Sequence, residues 1–571
     1  MRRFALLSPT VSAAPIAPAA PTAPASAVPV ASSGPAAPAT PAGSIGATGA
    51  ASVAQGAVAL PRQALPRHKA APDSHPSGSF ALDDKHLLRS VNSLAFPIIV
   101  ENLFQTMLGI VDLIMVGKLG AVAIAGVGTA LQIMFIVLAA LAAVAIGTTV
   151  LVARAIGADQ SAEAARAIKQ SLVLGVVLAA IIAVLGHIFA HPIIGLLGAT
   201  PPVVQAGGDY LDIVSVTSVV LVIQLVCSAA LRGAGDTRMP MVVTGLVNIV
   251  NIAVAYGMVQ KHGDSSGVAE AASTQERRAN FRCTSRELSP YSQAQNEPCL
   301  AYALIFGHFG LPALGVVGSA WGASVARGIG ALVLLALLAR GRRPVSVRGR
   351  GGWRPDATIM RRIVRIGLPA MIEQGLMNGG MLIYSVFVID MGTAVYAAQR
   401  ITFNALNISF MPGLGFGLAA TTMTSQALGA RLPDLARRST WISVWLAMGW
   451  MCIMGVLLFF FGNPIMHLFT NDPTIDRVGT DALRVIALSQ PFQALGQVMA
   501  GSLRGAGDTR FPMVATGLAV WLVRLPFGWL FGVPLHGGLP GLYISNVLDS
   551  AVRAMATYAR FQRSAWHRTR L

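Results

Sequence analysis

Two carboxylates, Glu101 and Asp112, stand inside an apolar run of this 571-residue chain. A charge at the centre of a bilayer costs at least about 2.5–3.5 kcal/mol, so such groups persist where they pair, bind or couple. They are eleven residues apart, and at 100° per residue they fall about 20° apart around a helix. Gln105 lies on the same stripe. A polar stripe on an apolar helix must face a cavity or a partner helix. With a 1.5 Å rise, Asp112 lies roughly 16 Å beyond Glu101 along the axis. The chemistry open to them is reversible uptake of H+ or Na+, with Asp112 and Glu101 as ion-coupling candidates and Na+ at Asp112. Glu101 reads equally well as a structural tie between helices. The sequence holds no His/Cys metal cluster and no nucleophile elbow, so neither an enzyme nor a cofactor is expected.

The bulk composition sets the solvent. The chain is 54% hydrophobic and 12% charged, with a mean hydropathy of +0.63. Soluble domains carry about 25% charged residues. Near-chargeless runs such as Leu131–Val152, Leu172–Phe189 and Ile442–Phe461 reach the ~20 residues needed to cross a bilayer. The net charge of +18 sits in short loops between these runs, where membrane topology explains it and nucleic acid is not needed. Cys227 and Cys452 fall in apolar runs and read as small hydrophobes.

Residues 1–85 are rich in Ala, Pro, Ser and Gly, and no acidic residue precedes Asp73. Such a segment cannot bury enough apolar surface to offset its chain entropy and is expected to be a disordered tail. An acid-poor, Ser-containing leader also has the composition of a transit peptide.

The elements that position the carboxylates come in two copies. Leu231-Arg-Gly-Ala-Gly-Asp-Thr-Arg238 recurs as Leu503-Arg-Gly-Ala-Gly-Asp-Thr-Arg510, a shift of 272. The same shift carries Pro97 onto Pro369, Glu101 onto Glu373, Gly157 onto Gly429, Pro201 onto Pro473 and Asp209 onto Asp481. After Tyr256 the shift falls to 228, so the first half holds an insertion of 44 residues within about 257–310. We expect an all-α polytopic membrane protein with twelve transmembrane helices in two homologous six-helix bundles. The bundles span 86–340 and 363–561, a basic linker joins them at 341–362, and a tail follows at 562–571. Six spans per half make the copies parallel repeats related by a pseudo-two-fold axis along the membrane normal, a transporter arrangement with the substrate path between the halves. Arg and Lys crowd the linker and one set of loops, including Arg154, Arg166, Lys169, Arg232, Arg238 and Arg504. That side is cytoplasmic, as are both termini. The insertion then faces the exterior, where Cys283 and Cys299 could form a disulfide.

The repeated Arg-Gly-Ala-Gly-Asp-Thr-Arg lacks a Gly-Lys-Ser/Thr ending and no strand precedes it, which excludes a phosphate-binding loop. It reads as a helix–helix turn. Gly233 or Gly235 supplies a left-handed cap and Asp236 or Thr237 caps the next helix, with Gly505 and Asp508 doing so in the second copy.

In the second half Gln374 and Asn378 accompany Glu373, and Tyr384 stands where the first half has Asp112. Together with Gln105 and Met377 these are the candidates for a substrate cavity. Met107, Met115, Met134, Met371, Met377 and Met381, with Phe104 and Phe403, offer the adaptable surface that suits varied ligands. Asp549, Arg400 and Arg524 read as structural pairs or interfacial groups.

The stretch Phe96-Pro-Ile-Ile-Val-Glu101, then Val111-Asp112, Met115-Val-Gly117 and Leu119-Gly120, resembles the first span of the multidrug and toxic compound extrusion (MATE) family. So do Gly367-Leu-Pro-Ala-Met-Ile-Glu-Gln374, Met411-Pro-Gly-Leu-Gly415, Gln426-Ala-Leu-Gly-Ala430 and both Arg-Gly-Ala-Gly-Asp-Thr turns. The resemblance covers about 90–560. It implies a V-shaped pair of bundles that export cationic or amphipathic compounds in exchange for H+ or Na+. It also implies an ion site at Asp112 and Asn251. A further carboxylate of the family would fall on Ala255, and a coupling glutamate of the seventh span on Met377. The expected function is a secondary antiporter working by alternating access, as a monomer in a bacterial inner membrane. The other function weighed is a lipid-linked oligosaccharide flippase, whose cavity would need several Arg and Lys; Arg400 and Arg524 are the main buried basic candidates.

Overall fold

The computed structural model describes residues 84–117, 121–259, 315–341, 345–349, 351–470, 472–563 and 566. Within its helices the description leaves out the side chains of 108–115 and 249–259, among them Asp112 and Asn251. The tail 1–83, most of the insertion and the pair Cys283–Cys299 also lie outside the described residues.

The first half holds α1 (Asp84–Gly117), α2 (Ala121–Gly157), α3 (Ser161–Leu196), α4 (Pro201–Val216), α5 (Ser218–Gly233), α6 (Arg238–Val259) and α7 (Gly315–Ala339). The second half holds α8 (Ala357–Asp390), α9 (Thr393–Gly429), α10 (Pro433–Phe460), the short α11 (Gly462–His467), α12 (Pro473–Ala487) and α13 (Gln490–Gly505). It closes with α14 (Arg510–Leu518), a π-helical turn at Ala519–Arg524, α15 (Leu525–Gly532) and α16 (Gly538–Gln562). Seven helical stretches among the described residues are long and apolar enough to cross a membrane, and α4 with α5, bent by 51°, makes an eighth. The duplication supplies the rest. α9 repeats α2, α12 with α13 repeats the bent span, and α16 ends the second set as α7 ends the first. The fold is the expected all-α one, with two six-span halves.

The repeat is kept because the same local devices recur. Pro201 and Pro473 open α4 and α12, where no N–H is needed. In the turn motif Gly235 and Gly507 take φ of +88° and +90°, so the second glycine is the left-handed one. Asp236 Oδ1 accepts from Met239 N at 3.3 Å. Gly233 and Gly505 serve close packing instead: a Cβ there would run into the carbonyl of Thr149 or Thr421. Thr149 donates to Ala229 O at 3.2 Å and Thr421 to Gly501 O at 2.9 Å, locking the same two helices in each half.

Lys169, expected in a loop, lies inside α3 at 4% exposure and holds the linker, donating to Gly349 O and Gly351 O at 3.0 and 2.6 Å. Gln170 does the same for Gly352 O and Arg354 O.

The halves interlock through their first two spans. Leu94, Ala95 and Ile98 of α1 belong to a core built from α9, α10 and α13. Ile363 of α8 belongs to the core of the first half. Glycines permit the approach: Gly147 faces the Ile363 backbone, and Gly367 faces that of Ala143. At the end carrying the turns, Gly157 sits on the Gln426 backbone and Gly429 on that of Arg154. Small residues let helices meet at this range in an apolar solvent, where no hydrophobic force drives them together.

Candidate functional site

Three adjoining cavities run across the middle of the two halves. The first, of about 230 Å³, lies in the first half and is walled by Glu101, Gln105, Gln224, Arg232 and Arg327. The second, of about 320 Å³, lies between the halves and shares Gln105 and Arg232 with the first, adding Gln374, Asn378 and Arg504. The third, of about 200 Å³, lies in the second half behind Glu373, Gln374, Met377, Arg504 and Arg553. Leu138, Leu225, Leu414 and Leu418 give the shared walls an apolar surface.

Each half presents one buried acid–base pair to this space. Arg232, in the last turn of α5, donates to both oxygens of Glu101 on α1 at 3.2 Å. Arg504, in the last turn of α13, donates to Glu373 on α8 at 2.8 and 3.3 Å. Glu101 is 1% exposed, so its charge requires such a partner. The two pairs are copies with one difference. Thr516 donates to Glu373 at 3.2 Å, whereas the hydroxyl of its counterpart Thr244 has no partner among the described residues.

A second charged group lies deeper in the second half. Asp549, fully buried on α16, accepts from Arg524 at 2.6 Å and lies 3.3 Å from Arg553. Arg524 sits at the end of the π-helical turn, a departure from α geometry that re-aims the side chains following it.

The candidates from sequence divide as follows. Glu101 and Gln105 share the first cavity; Gln105, Gln374 and Asn378 the central one; Glu373, Gln374 and Met377 the third. Tyr384 lies elsewhere. It is 2% exposed and packed among Val388, Leu525, Leu542 and Tyr543. Seven residues past Met377 it lies on much the same helix face but about 10 Å along the axis, where α15 and α16 close against α8. Asp112 and Asn251 fall outside the described side chains.

The basic groups of the cavities are not those expected. Arg400 is exposed and lies over the Tyr396 ring, and Arg524 is turned into the core. Arg232, Arg327, Arg504 and Arg553 line the cavities instead. Arg232 and Arg504, which the sequence places among the loop charges that mark topology, reach inward to the glutamates. No sequence signal singles them out, because the shift of 272 carries Arg238 onto Arg510 just as it carries Arg232 onto Arg504.

Comparison with known proteins agrees with this architecture. The MatE family model matches residues 97–257 and 369–530, one match per half. The "Probable multidrug resistance protein NorM" of Thermotoga maritima is 30% identical over 83% of this chain and 92% of its own length. The multidrug resistance protein PmpM of Pseudomonas aeruginosa is 24% identical over 84% and 92%. Among solved structures, the Vibrio cholerae MATE transporter VcmN superposes with a TM-score of 0.72 at 17% identity, covering 85% of this chain and 99% of that one. A MOP superfamily transporter from Pyrococcus furiosus gives 0.71 at 20%, covering 85% and 97%. A chain whose halves each match this model, on a duplicated helical frame shared with those structures, belongs to the MATE family of multi-pass membrane efflux transporters.

Proposed function

We propose that this protein is a secondary antiporter that exports amphipathic organic compounds, cationic ones on the strength of the resemblance, in exchange for H+ or Na+. The observation that carries the reading is the chain of cavities bounded by both halves, polar where Gln105, Gln374, Asn378, Arg232 and Arg504 line the central one and apolar along Leu138, Leu225, Leu414 and Leu418. Such a mixture suits ligands with one apolar body and few polar groups. Asp112, with Asn251, is the coupling candidate: an acid that takes up its ion loses the cost of a buried charge, which changes how its helix packs. Rocking of one bundle against the other would then expose the cavity to the far side. The protein works as a monomer in a bacterial inner membrane, both termini cytoplasmic, with no nucleic-acid partner.

The test is dye uptake into everted vesicles, the direction of export there, with the proton and sodium gradients collapsed separately. Loss with one gradient names the ion. Asp112→Asn should reduce coupled export at least tenfold, and undiminished export would remove Asp112 from the mechanism.

Four cavity arginines favour a second reading, a flippase for lipid-linked saccharides, because a pyrophosphate needs such cations. Three of the four already have a carboxylate partner, which weighs against it. Dye export that competes with no lipid-linked sugar separates the two.

A further inference from the structure

Around the second-half cavity stand three guanidiniums, Arg504, Arg524 and Arg553, and two carboxylates, Glu373 and Asp549. The positive excess belongs to Arg553. Glu373 is taken up by Arg504 at 2.8 Å and Thr516 at 3.2 Å. The closer partner of Asp549 is Arg524 at 2.6 Å, with Arg553 at 3.3 Å on the same oxygen. Among the described residues Arg553 Nη1 meets only the Met377 sulfur at 3.5 Å, and its Nε has no partner. A thioether is a weak acceptor.

The groups beside it are also unpartnered. Among the described residues the hydroxyl of Ser550, one turn back on the same helix and 1% exposed, has no hydrogen bond, and neither end of the Gln497 amide has one. All three line the cavity. Buried donors left unpaired cost about 1–3 kcal/mol each, so a cluster of them beside a cavity calls for a ligand. Met377, Phe410, Leu414 and Phe492 form its apolar wall.

We propose that this cavity seats the acid group of an amphipathic organic acid, a carboxylate or sulfonate on an apolar body, with Arg553 and Ser550 as its donors. The proposal rests on the exporter reading and extends its substrates to organic acids. The acid accepts from Arg553 and from the Ser550 hydroxyl while its apolar part lies against the Phe410 and Phe492 side.

The probe is dansylglycine, an aromatic carboxylate, measured by equilibrium dialysis against the detergent-solubilised full chain, with ethidium as the cationic control. Arg553→Gln should weaken dansylglycine binding about tenfold or more, the scale of a hydrogen bond to a charged group. Because Arg553 also touches Asp549, Ser550→Ala is the decisive variant. Its hydroxyl bonds to nothing among the described residues, so a structural role predicts no loss, whereas ligation predicts roughly fivefold weaker binding with unchanged thermal stability. Unaltered dansylglycine binding in Ser550→Ala, or in Arg553→Gln, overturns the proposal. Phosphatidylglycerol that binds where dansylglycine does not would assign the cavity to a lipid headgroup and overturn it too. Export assays separate the two readings: dansylglycine bound but no dye exported fails the exporter and leaves the acid site standing. Ethidium exported with no dansylglycine bound fails the acid site alone.

Discussion

Arg504 lies 2.8 Å from Glu373, and both residues occupy the positions, shifted by 272, of Arg232 and Glu101 in the first half. An ion pair kept in both copies ties the first span of each half to the helix that ends at its turn motif. Buried pairs are worth little relative to an apolar substitute, yet removing one member leaves a charge without compensation.

Arg232→Met should therefore destabilise the protein by about 3–5 kcal/mol, seen as a lower melting temperature in detergent. The double variant Glu101→Gln, Arg232→Met should recover most of that loss. Equal melting temperatures for the single and double variants would show that the pair is not the reason.

The glycine contacts between the halves predict a positional contrast. Gly429 meets the Arg154 backbone, so Gly429→Val must push α2 and α9 apart and should abolish monodisperse protein on gel filtration. Gly128 lies in α2, where an added Cβ would meet nothing within 4 Å among the described residues. Gly128→Ala should be neutral or stabilise by about 0.5–1 kcal/mol, since alanine is the better helix former.

Reciprocal bonds close the end that carries the turns. Gln426 donates to Gly233 O at 2.9 Å, and Arg154, at the equivalent place in the other half, donates to Ala506 O at 3.5 Å. Gln426→Leu orphans the Gly233 carbonyl and should favour separation there by about 1–2 kcal/mol. Spin labels at the exposed twin positions Gln160 and Leu432 would report it as a larger share of long distances. An unchanged distribution would mean that the glycine contacts alone hold this end.

Much of this architecture was legible because membranes impose simple rules. Apolar runs of the right length, a constant shift of 272 and the Gly-Asp-Thr turns needed only local chemistry to be read. The polar stripe of Glu101 and Gln105 followed from helix periodicity, and both residues face the same cavity. Their partners did not follow. An arginine at a helix end can point to water or reach back into the bundle, and its sequence neighbours are the same in either case. Tertiary packing sent Arg232 and Arg504 inward to the two glutamates, and it left Tyr384, on the same face of α8 as Met377, enclosed by α15 and α16. The sharing of Asp549 between Arg524 and Arg553 likewise depends on a π-helical turn meeting α16. The sequence by itself determined which segments lie in the bilayer and that they come in two copies, because burial in lipid and duplication are properties of the chain alone. Which charges face one another, and which are left with spare donors toward a cavity, was decided by how helices distant in sequence came into contact.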